Sequence, residues 1–262
     1  MAHQWWGHLV GWGSYHDQWI SEGFAEFSAG LFLQLKHAGE YREFLERGRK
    51  LILEKNKFGI SANDAGPLWM GHRLNTYKTG SAYNKLIYAK GGYILHMLRQ
   101  MMFDPQGKGD GPFIEMMKDF VDAHRNGDAT TESFQAVVEK HMTPAMNLDS
   151  NGKMDWFFRQ WVYGTEVPSY ELRYSLTPTD GGKARFKGTI TQSGVSDDFV
   201  MIVPVYVQVK NRLIRIVTSS IVGNDTTPQF DAMLPFMPDA VLINDKHDVL
   251  ARNVTIHRAG KK

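Results

Sequence analysis

The sequence predicts a multidomain α+β protein, a helical part over residues 1–167 followed by an all-β sandwich over 168–262. Two observations carry that prediction. The hydrophobic period is near four from about residue 17 to 163 and near two after Pro168. The punctuation changes with it: "TPTDGG", "SGVSDD", "KN" and "GNDTTP" separate short β-rich runs with turn chemistry. The chain has 262 residues, 42% of them apolar and 12% aromatic, which suits buried cores and excludes a disordered class.

In the helical part, Ile20, Phe24, Phe27, Leu31 and Leu35 recur at helical spacing, with Ser21 as a cap. Leu86, Lys90, Gly91, Ile94, Leu95 and Leu98 form a second stretch. Thr130 or Thr131 caps a third, built on Phe134, Val137 and Val138. "MDWFFRQWVYG" is a fourth, ended by Gly164 and Pro168. The strands expected beyond are "YELRYSL", "ARFKGTITQ", "FVMIVPVYVQV", "RLIRIVTSSIV" and "AVLIND".

Composition narrows the chemistry. Thirty basic residues against 28 acidic ones, a net charge of +2, give no electrostatic case for nucleic acid or an anionic membrane. No apolar run reaches the ~18 residues that a membrane helix needs. There is no cysteine, so disulfides and thiolate metal sites are excluded and any metal must take His and carboxylate ligands.

Three stretches carry candidate chemistry: "HQWWGH" at 3–8, "DQWISEGFAEF" at 17–27 and "YAKGG" at 88–92. Singly, each has an ordinary reading. His3 alone reads as solvated, Glu22 as a partner of a helix dipole, and Trp5, Trp6, Trp12 and Trp19 as core. Together, in this order and spacing, they resemble the alanyl aminopeptidase family of gluzincin zinc peptidases. That family carries His-Glu-x-x-His-Gln-Trp-x-Gly and, with eighteen residues between it and the second His, a Glu within Asn/Ser-Glu-Gly-Phe-Ala. His3 matches the second His, Glu22 the later Glu, "YAKGG" the Tyr-x-Lys-Gly segment, and "FFRQWVYG" the Trp segment before the next domain.

The resemblance implies the helical C-terminal half of a thermolysin-like catalytic domain followed by a β-sandwich. It implies zinc held by His3 and Glu22, and Tyr88 as donor to the oxyanion of peptide hydrolysis. The first His and the Glu of the motif would fall just before Met1, and the strand that holds a substrate's amino terminus is absent. The expectation is therefore a C-terminal part of a zinc aminopeptidase, with peptide as substrate, the N-terminal half of the parent as partner, and weak or absent zinc and activity in this chain. A pairing of two copies through the uncovered face is a further expectation. The alternative is a non-catalytic peptide-binding or interaction module.

Other features weigh less. His8 and His16 are candidate replacement ligands, with a structural role favoured. Asp17 either orients His3 or makes a cap or loop hydrogen bond. Lys90 supports Tyr88 or caps a surface. "GPLWMGHRL" at 66–74 lines the cleft or forms a buried turn. "DSNGKMD" lacks the calcium-loop pattern, and "DPQGKGDGP" lacks phosphate-loop spacing.

Overall fold

The computed structural model describes residues 2–259, which fall into two compact units, one up to Thr165 and one from Glu166 onward. In the first unit the order is β1 (Val10–Trp12), α1 (Trp19–Lys36), α2 (Ala38–Leu53), α3 (Ala82–Asn84), a π-helical turn (Lys85–Lys90), α4 (Gly91–Met102), α5 (Gly111–His124), β2 (Gly127–Ala129), α6 (Thr131–His141) and α7 (Asp155–Trp161). A 3-10 turn, Ala2–Gln4, precedes β1.

α4 is the central element, every residue from Gly91 to Gln100 being buried. Two of its buried polar groups find partners on other elements. His96 Nδ1 lies 3.0 Å from Tyr41 Oη on α2, and Arg99 donates to Gln34 Oε1 at 2.8 Å and pairs with Asp110. α1 crosses α4 through glycine. A Cβ on Gly23 would lie 2.7 Å from Gly91 Cα, and one on Gly91 would lie 3.0 Å from Gly23 Cα.

The buried face of α1 carries Trp19, Ile20, Phe24 and Phe27, as the spacing predicts. These join rings from both ends of the unit: Trp6–Phe24 centroids are 4.9 Å apart, and Phe24–Phe134 and Phe120–Phe134 are 5.0 Å apart. Farther along, the helix departs from the expectation. Phe32 is 63% and Leu35 84% exposed, because no described element covers this face. Trp5 and Trp12, read as core, are also exposed, whereas Trp6 and Trp19 are buried.

Caps follow local chemistry. Thr130 Oγ1 accepts from Ser133 N at 3.1 Å and Ser133 Oγ accepts from Thr130 N at 2.9 Å, closing a capping box on α6. Ser21 is not the cap of α1: it lies inside the helix, and its hydroxyl donates to the Trp6 carbonyl at 3.4 Å. The parallel pairing of β1 with β2 went unmarked by the sequence, for three-residue strands carry no period.

The second unit is a β-sandwich. Its strands are β3 (Ser169–Thr179), β4 (Lys183–Ser193), β5 (Val200–Val209), β6 (Arg212–Val222), β7 (Phe230–Leu234), β8 (Ala240–Ile243) and β9 (Val254–Arg258). One sheet has the order β7-β4-β3-β9 and the other β6-β5-β8. β5 is central and almost wholly buried, and its Pro204 sits beyond the β8 ladder, which begins at Val205. Among the described residues, no helix is long and apolar enough to cross a membrane.

The helix crossing yields a stability prediction. Gly23→Ala forces a methyl into the Gly91 backbone and is expected to cost roughly 1–3 kcal/mol. Gly39→Ala, where nothing lies within 4 Å, is expected to be neutral or slightly stabilising. Urea unfolding of both variants checks this; equal midpoints would contradict the crossing.

Candidate active site

His3 sits on the 3-10 turn Ala2–Gln4, which is closed by Trp5 N and Trp6 N, both donating to Ala2 O at 3.0 and 3.1 Å. The Trp6 ring anchors the turn: it is buried against Phe24, and its Nε1 donates to Ser28 Oγ at 2.9 Å. The Trp6 carbonyl therefore stands in a fixed place, 3.3 Å from His3 Nδ1. A carbonyl can only accept, so this hydrogen bond puts the proton on Nδ1 and leaves the Nε2 lone pair of a neutral ring outward. Imidazoles that bind metals are commonly oriented this way.

His3 Nε2 points at Glu22, 3.4 Å from its Oε2. Glu22 lies in the first turn of α1, where the helix dipole favours an anion. Its Oε2 is buried and accepts no hydrogen bond from the described residues. Two donors at ~2.0–2.1 Å from one tetrahedral ion lie about 3.3 Å apart. The His3–Glu22 separation and the orphaned oxygen thus both fit a shared zinc ion. The set is short, however: among the described residues no cluster of three His, Cys, Asp or Glu could hold a metal.

Tyr88 comes to the same carboxylate from the π-turn. Burial first, then its interaction with the Glu22 carboxylate, raise its phenol pKa far above the usual tyrosine value. It is a neutral O–H donor over the whole physiological range. Beside His3 and Tyr88 opens a cavity of about 680 Å³, lined also by Trp5, Ala25, Glu26 and Phe32.

The other candidates go elsewhere. Asp17 does not touch His3. Its Oδ1 accepts from Thr131 N at 2.8 Å and Thr131 Oγ1 at 3.0 Å, and its Oδ2 from Ser14 Oγ at 2.7 Å, so it is a structural tie to the start of α6. His16 donates from Nδ1 to the Trp69 carbonyl at 2.6 Å and stacks on the Trp69 ring at 3.7 Å. His8 is exposed. The "GPLWMGHRL" stretch is a kinked 3-10 segment, Leu68–Leu74, with Gly71 at φ +53° against the Tyr15 carbonyl.

Three site residues escaped the sequence reading. Tyr83 is raised by burial and by the Glu22 charge, with Gln18 donating to its phenol. Glu26, one turn beyond Glu22, is raised by burial, with Arg47 opposing. Only the i, i+4 spacing of Gln18, Glu22 and Glu26 could have signalled them.

Lys90 is not a surface cap. It is fully buried and its Nζ donates to two neutral acceptors, Asn63 Oδ1 at 3.0 Å and the Gly164 carbonyl at 3.2 Å. Burial lowers its pKa from 10.5 to about 7. Between those values the unfolded chain binds more protons than the folded one, so this group makes stability rise with pH across the window and leaves it flat below. Lys90→Met is expected to remove that rise. Unfolding free energies of both proteins from pH 7 upward check it, and parallel curves would contradict it.

Comparison with known proteins identifies the family. The peptidase family M1 domain matches residues 1–161, more than half of the chain. Leukotriene A-4 hydrolase of Xenopus laevis is 22% identical over 180 residues, covering 68% of this chain and 27% of that protein. Endoplasmic reticulum aminopeptidase 1 of Rattus norvegicus is 29% identical over 109 residues, covering 39% of this chain and 10% of that protein. The solved structure of Legionella pneumophila aminopeptidase A in complex with aspartic acid shares the fold, with a TM-score of 0.58 at 15% identity over 99% of this chain and 26% of that one. The chain spans at most 27% of the length of these proteins. With the family domain matched over the residues that bring His3, Glu22 and Tyr88 together, the chain belongs to peptidase family M1.

Proposed function

We propose that this chain carries part of a zinc-dependent aminopeptidase-like hydrolase that removes residues from peptide N-termini. The observation that carries the reading is the meeting of His3, Glu22 and Tyr88 at one point, with an unpaired buried carboxylate oxygen between them. His3 and Glu22 would hold the zinc. Zinc, when bound, supplies Lewis acidity toward water and toward a scissile carbonyl. The Trp6 carbonyl keeps His3 in the tautomer whose Nε2 is free. Tyr88, neutral and a donor, stabilises the oxyanion that develops on the scissile carbonyl. The cavity beside Tyr88 and His3 takes part of the peptide.

Among the described residues, no second imidazole ligand and no general base stand at this site. Loss of a base alone removes about 100- to 10,000-fold of rate. The chain by itself is therefore inactive or nearly so. A second reading, a non-catalytic interaction module, draws on the short ligand set and on the uncovered groove of about 540 Å³ along α1 and α5, where Leu31, Leu35, Phe113 and Ile114 are exposed or line the wall.

Hydrolysis of an aminoacyl-anilide separates these. The zinc-supplemented chain alone is expected to stay at background. The same chain preceded directly by the motif's His-Glu pair is expected to gain activity that Tyr88→Phe lowers roughly 100- to 1,000-fold. Robust hydrolysis by the chain alone, unchanged in Tyr88→Phe, would overturn the proposal; an extended chain with no activity would favour the interaction module.

A further inference from the structure

We propose that Lys90 is a positioning residue for Tyr88: its buried amine holds the π-helical turn in the register that delivers the phenol to Glu22. The inference rests on the reading of Tyr88 as the oxyanion donor. The turn Lys85–Lys90 is closed by the Gly91 N–H, shared between the Leu86 carbonyl five residues back and the Tyr88 carbonyl three residues back. Such a turn holds one residue more than an α-turn and persists where its surroundings over-determine it.

Those surroundings are visible at both ends. At the start, Tyr83 N donates to Asn75 Oδ1 at 3.0 Å, and the Tyr83 ring stacks on His72 with centroids 4.3 Å apart. At the end, Gly91 lies against Gly23, and Lys90 reaches Asn63 and Gly164. Asn63 is a fixed acceptor, fully buried, with its own amide donating to the Thr165 carbonyl. The turn is thus pinned before and after Tyr88.

Register decides where the phenol goes. In an α-helix five residues turn through about 500°, which would aim Tyr83 and Tyr88 about 140° apart. Here both phenols feel the Glu22 carboxylate, and Tyr88 lines one cavity with His3, whose ring lies against that carboxylate. The i→i+5 pattern brings them to one side. Packing alone does not call for a nitrogen at residue 90. A buried amine with neutral partners is costly, and an apolar side chain would fill the space at lower cost. What the amine adds is direction: two hydrogen bonds that fix the end of the turn.

The test uses the full chain without metal, with ring-labelled tyrosine, Tyr88 being assigned through Tyr88→Phe. In Lys90→Met, and independently in Asn63→Ala, the Tyr88 ring resonance is expected to move toward that of a solvent-exposed tyrosine. Exchange protection of the Gly91 amide is expected to fall about tenfold or more. The Tyr41 and Tyr170 resonances are expected to stay. Asn63→Ala removes one acceptor while leaving the lysine, so the test survives if Lys90→Met does not fold. A folded variant with Tyr88 unmoved, or with all three tyrosines moving alike, would overturn the proposal. Neither zinc nor hydrolysis enters this readout, so an inactive extended enzyme would sink the functional reading and leave the positioning role standing.

Discussion

Gly23 and Gly91 hold α1 and α4 closer than any side chain would allow, and the site depends on that approach. Glu22 precedes the contact on one helix. Tyr88 and Lys90 precede it on the other. A methyl group at the crossing would push the helices apart by the radius of a carbon and take the phenol away from the carboxylate. The rest of the helical unit supports the same point. Trp19, Phe24 and Phe27 bury the core face of α1, and α4 is buried all round. The Trp6 ring locks the turn that carries His3. The glycines are there for proximity rather than flexibility.

Two carboxylates five residues apart show how structure and site can be told apart by bookkeeping of hydrogen bonds. Asp17 accepts three, with both of its oxygens engaged by protein donors. Glu22 keeps a buried oxygen without a donor. Such an oxygen costs about 1–3 kcal/mol until something pairs with it. An ion shared with His3, or the Tyr88 hydroxyl and a bound substrate, would recover that cost. Lys90 is a second costly group, and its two neutral acceptors offset the burial only in part.

The order helices-then-strands was legible in the sequence because the hydrophobic period changes at Pro168, and the runs beyond it are long enough to show alternation. β7 and β9, five residues each with polar or charged members, were not, since their pairing comes from β4 and β3 rather than from their own pattern. His3, Glu22 and Tyr88 were legible through motif spacing, and the geometry brings them together. The π-turn was not, because "KLIYAKGG" reads equally well as α-helix; the extra residue is imposed by contacts with Gly23 and Asn63, distant in sequence. Leu35 fits the apolar stripe yet stands in the open, since period reports which face is apolar and not what lies against it.

The central claim is that His3 and Glu22 are two donors set for one zinc ion and lacking the rest of its shell. Equilibrium zinc titration of the chain beside His3→Ala and Glu22→Gln tests it most directly. A complete structural zinc site yields ~10–16 kcal/mol, and two ligands yield far less. The account predicts weak, sub-stoichiometric binding at micromolar zinc that either substitution abolishes. Tight binding of one zinc per chain that survives both substitutions would contradict it.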